Sequence, residues 1–197
     1  MRQRHTLVQI FTVLVLALLV VLPSAAWADQ GQNTTAVNDH RNVTLREEVR
    51  HQLVMLPYYS VFDWLEADVR PDGNVILTGQ VNQPTLRKDA ESQVKRLEGV
   101  SQVVNNIELL PLSNNDDEIR TRLYRAIYRF DSPLFKYALQ SVGPIHIIVK
   151  NGHVTLKGVV ASHSDSQLAY MEAQSVFGPF DVKNELQLEE VAAKPVS

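Results

Sequence analysis

Hydrophobic and polar positions follow the same order twice along the chain. The string PDGNVILTGQV at 71–81 alternates apolar and polar residues after a turn signal, and the string KNGHVTLKGVV at 150–160 does the same. When Gly152 is placed on Gly73, the apolar and glycine positions coincide at a constant offset of 79 residues, and this continues without a gap as far as Leu188. Self-similarity over such a length indicates a duplicated small domain.

Each copy predicts the element order α-β-β-α-β. Apolar residues at helical spacing predict a first helix, with the stripes Leu45, Val49 and Leu53 in the first copy and Ile119, Leu123, Ile127 and Phe130 in the second. Two alternating runs then predict a hairpin, and a second helix and a last strand follow. The predicted fold is α/β (α+β): two domains at 43–110 and 115–190, joined by a linker at 111–114. In each domain two helices pack on a three-stranded mixed sheet.

Glycines at shared positions are predicted to be structural. Asn-Gly at 151–152 matches the two-residue turn that needs positive φ at both central positions. The turn of the first copy is one residue longer, and its glycine takes the left-handed position. The predicted structural turn glycines are Gly73, Gly79, Gly152 and Gly158.

The same residues carry a family resemblance. The motif G-x-V-x-L-x-G-x-V, followed by an alanine-bearing helix and by G-x-x-x-V-x-N-x-(I/L)-x-L, resembles the BON domain of bacterial envelope proteins. A leader followed by two such domains is similar to the osmotically inducible periplasmic proteins of that family. The resemblance implies envelope maintenance and association with phospholipid surfaces, without a catalytic centre.

The first 28 residues are predicted to be a cleaved secretory signal peptide. Arg2 and Arg4 precede the apolar run LVQIFTVLVLALLVVL, and AWA at 26–28 supplies a cleavage signal. The run is shorter than the ~20 residues needed to cross a bilayer, which argues against the alternative of an uncleaved membrane anchor. Residues 29–42 are predicted to be a disordered lead-in and residues 191–197 a tail. The expected location is the periplasm.

Composition narrows the classes of function. The chain has no cysteine, which excludes disulfides, thiolate metal sites and a cysteine nucleophile. The predicted signal peptide contains two of the 19 Lys and Arg residues, Arg2 and Arg4. The rest of the chain therefore has 17 Lys and Arg against 22 Asp and Glu, a net charge of −5. This balance argues against general nucleic-acid binding, which needs a basic excess.

No pattern in the sequence predicts catalysis. Motifs for nucleophile elbows, zinc proteases, dinucleotides and phosphate loops are missing, so no enzyme activity, small-molecule substrate or cofactor is expected. His146 and His153 are predicted on the solvent face of the second hairpin, opposite Lys157 and Lys150 respectively. Cationic neighbours disfavour metal binding, so no metal site is predicted.

The helix IRTRLYRAIYRF at 119–130 is the best candidate for a binding surface. Its candidate contact residues are Arg122, Tyr124, Arg125, Tyr128 and Arg129. The three arginines share one face, and a basic amphipathic helix with aromatic residues can lie against an anionic membrane surface. The alternative is a solvated helix whose arginines pair with acids such as Asp116 and Asp117.

Aromatic residues concentrate in two comparable stretches. These are Tyr58, Tyr59, Phe62 and Trp64 in the first copy, and Tyr124, Tyr128, Phe130, Phe135 and Tyr137 in the second. Two interpretations stay open: the rings close off a small core, or some of them form an exposed patch with one apolar and one wet side.

Two functional hypotheses follow. The first is a periplasmic envelope-maintenance or stress protein that binds an anionic phospholipid surface peripherally through its second domain. The second is a chaperone-like binder of unfolded envelope proteins that uses the aromatic stretches. High salt would weaken contact through arginines but not apolar capture, so ionic strength separates the two.

Overall fold

A computed structural model describes residues 43–189 of the chain. The predicted signal peptide at 1–28, the lead-in at 29–42 and the tail at 191–197 lie outside these residues. Within the described part, both copies follow the order of elements that the sequence predicts.

The first copy forms a mixed sheet with two helices. Its elements are α1 (43–54), β1 (Trp64–Val69), β2 (Asn74–Val81), α2 (Pro84–Val94), β3 (Gln102–Asn105) and β4 (Glu108–Leu109). Strand β1 is antiparallel to the central β2, and β3 and β4 both pair with β2 in parallel. The predicted third strand is therefore present as two pieces.

The second copy repeats this arrangement with one addition. Its elements are α3 (Asn114–Ile127), a 3-10 helix (Pro133–Leu139), β5 (Ile145–Lys150), β6 (His153–Val160), α4 (His163–Ser175) and β7 (Asp181–Leu188). Strand β6 is central, antiparallel to β5 and parallel to β7. The prediction of two tandem α-β-β-α-β units with mixed sheets is confirmed, whereas the 3-10 helix was not predicted.

Each copy has a hydrophobic core between its sheet and its helices, and the core of the second copy also includes Val61 of the first. The predicted α1 stripe is buried in the first core, and Ile119, Leu123 and Ile127 are buried in the second. Phe130 was predicted to extend this stripe, but its side chain is 83% exposed. The helix ends at Ile127 with Tyr128 as its C-cap, so Phe130 has left the helical path before it could face the core.

Equivalent contacts relate the two copies. A Cβ at Gly99 would lie 3.6 Å from the side chain of Leu45, and a Cβ at Gly178 would lie 3.2 Å from the side chain of Ile119. Gly99 and Gly178 are 79 residues apart, but Leu45 and Ile119 are 74 apart. The first helices therefore correspond at an offset of 74, and this offset identifies matched positions on their surfaces.

A shared asparagine fixes the last strand of each copy. The side-chain oxygen of Asn105 accepts a hydrogen bond from the backbone nitrogen of Ile107, and that of Asn184 accepts one from Leu186, both at 3.1 Å. In each copy the amide nitrogen of the same side chain donates to the preceding helix. The repeated asparagine is therefore structural.

Two of the four predicted turn glycines lie in hairpin turns. Asn151 and Gly152 both have positive φ, 53° and 81°, as a two-residue hairpin turn requires. Gly73 has a φ of 80° in the longer turn of the first copy.

The other two glycines lie inside the central strands, so their assignment to turns is wrong. Gly79 and Gly158 have φ angles of 122° and 123°. A Cβ at either position would overlap the backbone carbonyl of the neighbouring strand, that of Trp64 or of Pro144. These glycines permit a close approach of the two hairpin strands, which is a second reason for glycine in a strand.

The first copy covers part of the predicted solvent face of the second hairpin. His146 is only 6% exposed, and its ring centroid lies 5.1 Å from that of Trp64 and 5.6 Å from that of Tyr59. On the same strand, the backbone nitrogen of Ile147 donates to the carbonyl of Val61 at 2.7 Å. The prediction that His146 faces solvent is wrong because the segment before β1 packs across β5.

The predicted pairing within the second hairpin is confirmed. His146 lies opposite Lys157, and His153 lies opposite Lys150. His153 is exposed, as predicted, and its Nδ1 is 2.7 Å from the Asp181 carboxylate on the neighbouring strand.

Candidate functional site

Helix α3 carries the candidate contact residues, and its first turn is fastened to the second hairpin. The Ser113 hydroxyl accepts a hydrogen bond from the backbone nitrogen of Asp116 and caps the helix. The buried carboxylate of Asp116 accepts hydrogen bonds from the backbone nitrogens of Asn151 and Gly152, at 2.8 and 2.9 Å. These bonds fix the start of α3 against the sheet.

Arg120 points inward and holds the middle of the helix. It is 2% exposed, donates to the Asp117 carboxylate at 2.5 Å and donates to the carbonyl of Val149 at 2.6 Å. It is therefore unavailable to an external partner.

The three candidate arginines are all exposed. Arg122 donates to Glu118 at 2.7 Å, and Arg129 lies 2.5 Å from Asp131. Arg125 makes no ion pair with any residue in the described part of the chain. Exposed pairs of this kind contribute about 0–1 kcal/mol, so Arg122 and Arg129 can exchange their partners for an external anion.

The alternative interpretation holds in part, because Arg120 pairs with Asp117 as it named, whereas Arg122 and Arg129 pair with other acids. Asp116 binds the hairpin turn, and Asp117 pairs with the buried Arg120. Arg129 also approaches Glu172 of α4 at 3.7 Å. The three candidate arginines therefore lie on the outer surface of the second copy rather than in a network with the linker.

The two candidate tyrosines differ in exposure. Tyr128 is 7% exposed, and its hydroxyl donates to the carbonyl of Ile145 at 2.7 Å and accepts from the nitrogen of the same residue at 3.2 Å. Burial raises the pKa of its phenol. Tyr128 is thus mainly part of the core, and little of its ring is available as a surface contact. Tyr124 is 43% exposed, and its ring contacts those of Tyr128 and Phe62.

The aromatic stretches of the two copies meet at a cleft of about 270 Å³. It lies between the segment at 59–62, the α3 residues Tyr124 and Tyr128, and the loop at 140–143. Both open interpretations therefore apply to different rings: Tyr128 and Tyr137 close the core, whereas Tyr124 borders an open cleft.

Sequence reasoning missed two exposed phenylalanines beside α3. Phe177 and Phe180 lie in the loop between α4 and β7 and are 89% and 77% exposed. A signal was present, since the offset of 79 places them on Glu98 and Ser101, which are polar. Apolar residues that replace polar ones at matched surface positions are the signal that could have identified them.

Titratable side chains outside α3 form no metal site in the described part of the chain. Within residues 43–189, no three His, Cys, Asp or Glu side chains are grouped so that they could hold a metal ion. The buried Asp63 has its pKa raised by desolvation, but its carboxylate accepts bonds from Ser60 and from the backbone of Asn82. Its role is to hold the segment before β1 in place.

Comparisons with known proteins place the two copies in one family. The BON domain matches residues 41–111 and again residues 115–190. No curated protein matches the chain. In addition, no helix in residues 43–189 is long and apolar enough to cross a membrane.

Two solved structures have a low overall similarity to the chain. One is the C-terminal domain of CdsD, the structural protein of the type III secretion system of Chlamydia trachomatis, at 13% identity and a TM-score of 0.25, covering 72% of this chain and 96% of that one. The other is also CdsD, at 14% identity and a TM-score of 0.24, covering 76% and 100%. Similarity at this level carries no functional argument.

Proposed function

Because the chain belongs to the BON-domain family, we propose that it is a periplasmic protein that binds anionic phospholipid surfaces through its second domain. BON domains are associated with phospholipid binding and with envelope and osmotic stress, and the family is generally non-catalytic. In this proposal the protein is not an enzyme, associates only peripherally with a membrane, and maintains the cell envelope under stress.

The observation that carries the proposal is the contrast between the outer faces of α1 and α3. Arg122 corresponds to Glu48 at the offset of 74, so one domain presents a cation where the other presents an acid. Arg125 and Arg129 correspond to His51 and to an uncharged methionine. A membrane-facing role for the second copy explains why this helix is basic in a protein with a net negative charge.

Electrostatic attraction by the arginines supplies part of the free energy of a reversible interaction with a membrane. Each arginine near an anionic leaflet contributes about 1 kcal/mol before screening, so three contribute on the order of 3 kcal/mol. Guanidinium groups also bind phosphate oxygens through paired hydrogen bonds. The exposed partners of Arg122 and Arg129 are on the same small domain and can be exchanged at little cost.

Sedimentation with vesicles tests the proposal. The wild-type protein is expected to sediment with vesicles that contain anionic phospholipid and not with neutral ones. Replacing Arg122, Arg125 and Arg129 together by glutamate is expected to reduce this binding by ~100-fold or more. The proposal fails if the variant binds anionic vesicles as well as wild type.

A matched control comes from the first copy. Arg46, Arg50 and Arg87 are also exposed, and replacing them by glutamate changes the net charge by the same amount. This variant is expected to retain more of the binding, because the contact belongs to the α3 face rather than to the total charge. Circular dichroism of both variants checks that they fold.

The aromatic cleft favours one second candidate, capture of unfolded envelope proteins. Its lining by Tyr59, Phe62 and Tyr124 suits an apolar side chain of an extended polypeptide. Such capture would persist at high salt and would be reduced by Tyr124→Ser. If the protein prevents aggregation of an unfolded client but does not bind anionic vesicles, this candidate replaces the first.

A further inference from the structure

The loop between α4 and β7 exposes two phenylalanines at positions 177 and 180, in the sequence FGPF. Their side chains are 89% and 77% exposed. Scattered exposed apolar residues are ordinary, whereas two exposed phenylalanines on one short loop make that loop a candidate interaction site.

Hydrogen bonds on both sides hold this loop in place. Arg122 Nη1 donates to the carbonyl of Phe177 at 3.2 Å, and the nitrogen of Phe180 donates to the carbonyl of Gly152 at 2.9 Å. Pro179 further restricts the backbone. The loop backbone is thus held to α3 on one side and to the hairpin turn on the other, so little backbone conformational entropy would be lost on binding.

The other copy lacks these features at every matched position. Glu98 and Ser101 stand where the second copy has Phe177 and Phe180, and Glu48 stands where it has Arg122. The direct contact between Arg122 and the Phe177 carbonyl joins two of these differences into one surface. The second copy thus combines apolar and cationic groups where the first copy has polar and acidic ones.

Charge around the loop suits an anionic partner. The nearby acid Glu118 pairs with Arg122, and the Asp181 carboxylate lies 2.7 Å from Nδ1 of His153. Arg125, one turn along α3, makes no ion pair with the described residues. The loop therefore lies at one end of an arginine row that extends to Arg129.

We infer that Phe177 and Phe180 insert into the interfacial layer of an anionic phospholipid bilayer while the neighbouring arginines contact its phosphates. This inference rests on the proposed function and adds an apolar, salt-resistant part to it. The apolar face of an interfacial amphipathic helix is buried about 5–10 Å into the boundary between headgroups and acyl chains, and aromatic rings at that depth are likewise removed from water. The arginines determine which lipid is bound, and the loop slows dissociation.

Fluorescence measures insertion directly. In the Phe177→Trp variant of the exported protein, the new tryptophan is expected to shift to shorter wavelength with anionic vesicles and to be quenched by bromine atoms on the acyl chains. Trp64, the one native tryptophan after residue 28, lies against His146 between the copies. The wild-type protein, which has only Trp64 in this region, is expected to show neither change.

Substitution by the residues of the first copy measures the contribution to affinity. The double variant Phe177→Glu/Phe180→Ser is expected to bind anionic vesicles at least tenfold more weakly, and Phe177→Ser/Phe180→Ser, which adds no charge, to lose a similar amount. Leu112→Ser removes an equally exposed apolar side chain from the linker and is expected to have no effect.

The outcomes separate this inference from the proposed function. If wild type binds anionic vesicles, the loop variants bind equally well and the new tryptophan is not quenched, the insertion is wrong and the arginine contact stands. If wild type does not bind anionic vesicles at all, both are wrong. Because both phenylalanines are exposed, unchanged thermal unfolding of the variants is expected.

Discussion

At the scale of single residues, the burial of His146 makes the stability of the protein depend on pH. Desolvation lowers the pKa of this histidine from 6.5 to about 4, although the backbone carbonyls of Asp63 and Ser60 oppose the shift. Its ring Nδ1 has no hydrogen-bond partner among the described residues. A neutral ring is therefore the form that the contact between the two copies accommodates.

This burial predicts a loss of stability in acid. Between pH 6.5 and about 4 the unfolded chain binds a proton at His146 that the folded chain does not bind. The contribution of His146 to the free energy of unfolding is therefore fully present above pH 6.5. It decreases as the pH falls towards 4, by at most ~3 kcal/mol. Urea unfolding at a series of pH values measures the decrease.

The variant His146→Gln isolates this contribution. Desolvation raises the pKa of the neighbouring Asp63, which favours the folded state as the pH falls and so opposes the histidine. Both proteins share that carboxylate, so the difference between their pH profiles reports the histidine. An equally steep decrease in wild type and variant would contradict the assignment.

Predictions for single residues are correct where the conformation depends only on neighbouring residues in the sequence. The positive φ of Gly73 and Gly152 follows from turn chemistry and could be predicted. The burial of His146 and Tyr128 could not, because it depends on which segment packs across a strand. Alternation states which face a side chain occupies, but it does not state what covers that face.

At the scale of elements, the tie between α3 and the second hairpin determines where the arginines lie. Asp116 accepts bonds from two backbone nitrogens of the hairpin turn, and its side chain is fully buried. Removing the carboxylate leaves both donors without their acceptor, which costs about 1–3 kcal/mol for each buried group.

The variant Asp116→Ala is therefore expected to lower the free energy of unfolding by ~2–4 kcal/mol. Glu118→Ala is the matched control from the same turn of the helix, since Glu118 is exposed and, among residues 43–189, forms an ion pair only with Arg122. The control is expected to change stability by less than ~1 kcal/mol. Denaturant unfolding of the two variants measures the difference. Equal decreases in the free energy of unfolding would contradict a stabilising role for the bonds between Asp116 and the hairpin turn.

Element order was predictable because periodicity, turns and glycines agree in both copies. The details that differ are those without a repeating signal. The break between β3 and β4, the 3-10 helix and the strand glycines Gly79 and Gly158 depend on contacts with a neighbouring strand or helix. The sequence of one copy alone would predict fewer of the elements, because the pattern in each copy supports the interpretation of the same pattern in the other.

At the scale of the whole molecule, duplication has been followed by divergence of the surfaces. The cores and the shared asparagines are retained in both copies, whereas the outer faces of α1 and α3 differ in charge. The copies also contact each other through Trp64 and His146, and Lys150 reaches Glu108 of the first copy at 2.5 Å. These contacts pack the first copy against the hairpin of the second.

The sequence supports the arginine face as a hypothesis but cannot reveal the aromatic cleft or the exposed loop beside it. Both depend on how distant segments meet: Tyr59 and Tyr124 line one cleft, and Phe177 contacts α3 through Arg122. Comparison of matched positions between the copies comes closest to predicting the loop, because it uses the duplication itself.

The most direct test of the central claim is the affinity of the wild-type protein for anionic and neutral vesicles as a function of salt. Raising the salt from about 0.1 M to about 1 M shortens the Debye length from ~10 Å to ~3 Å, which weakens contacts between exposed charges. Binding to anionic vesicles alone, decreasing strongly over this range, is the predicted result. Equal binding to both kinds of vesicle, or binding that does not change with salt, would contradict an arginine-based contact with an anionic membrane.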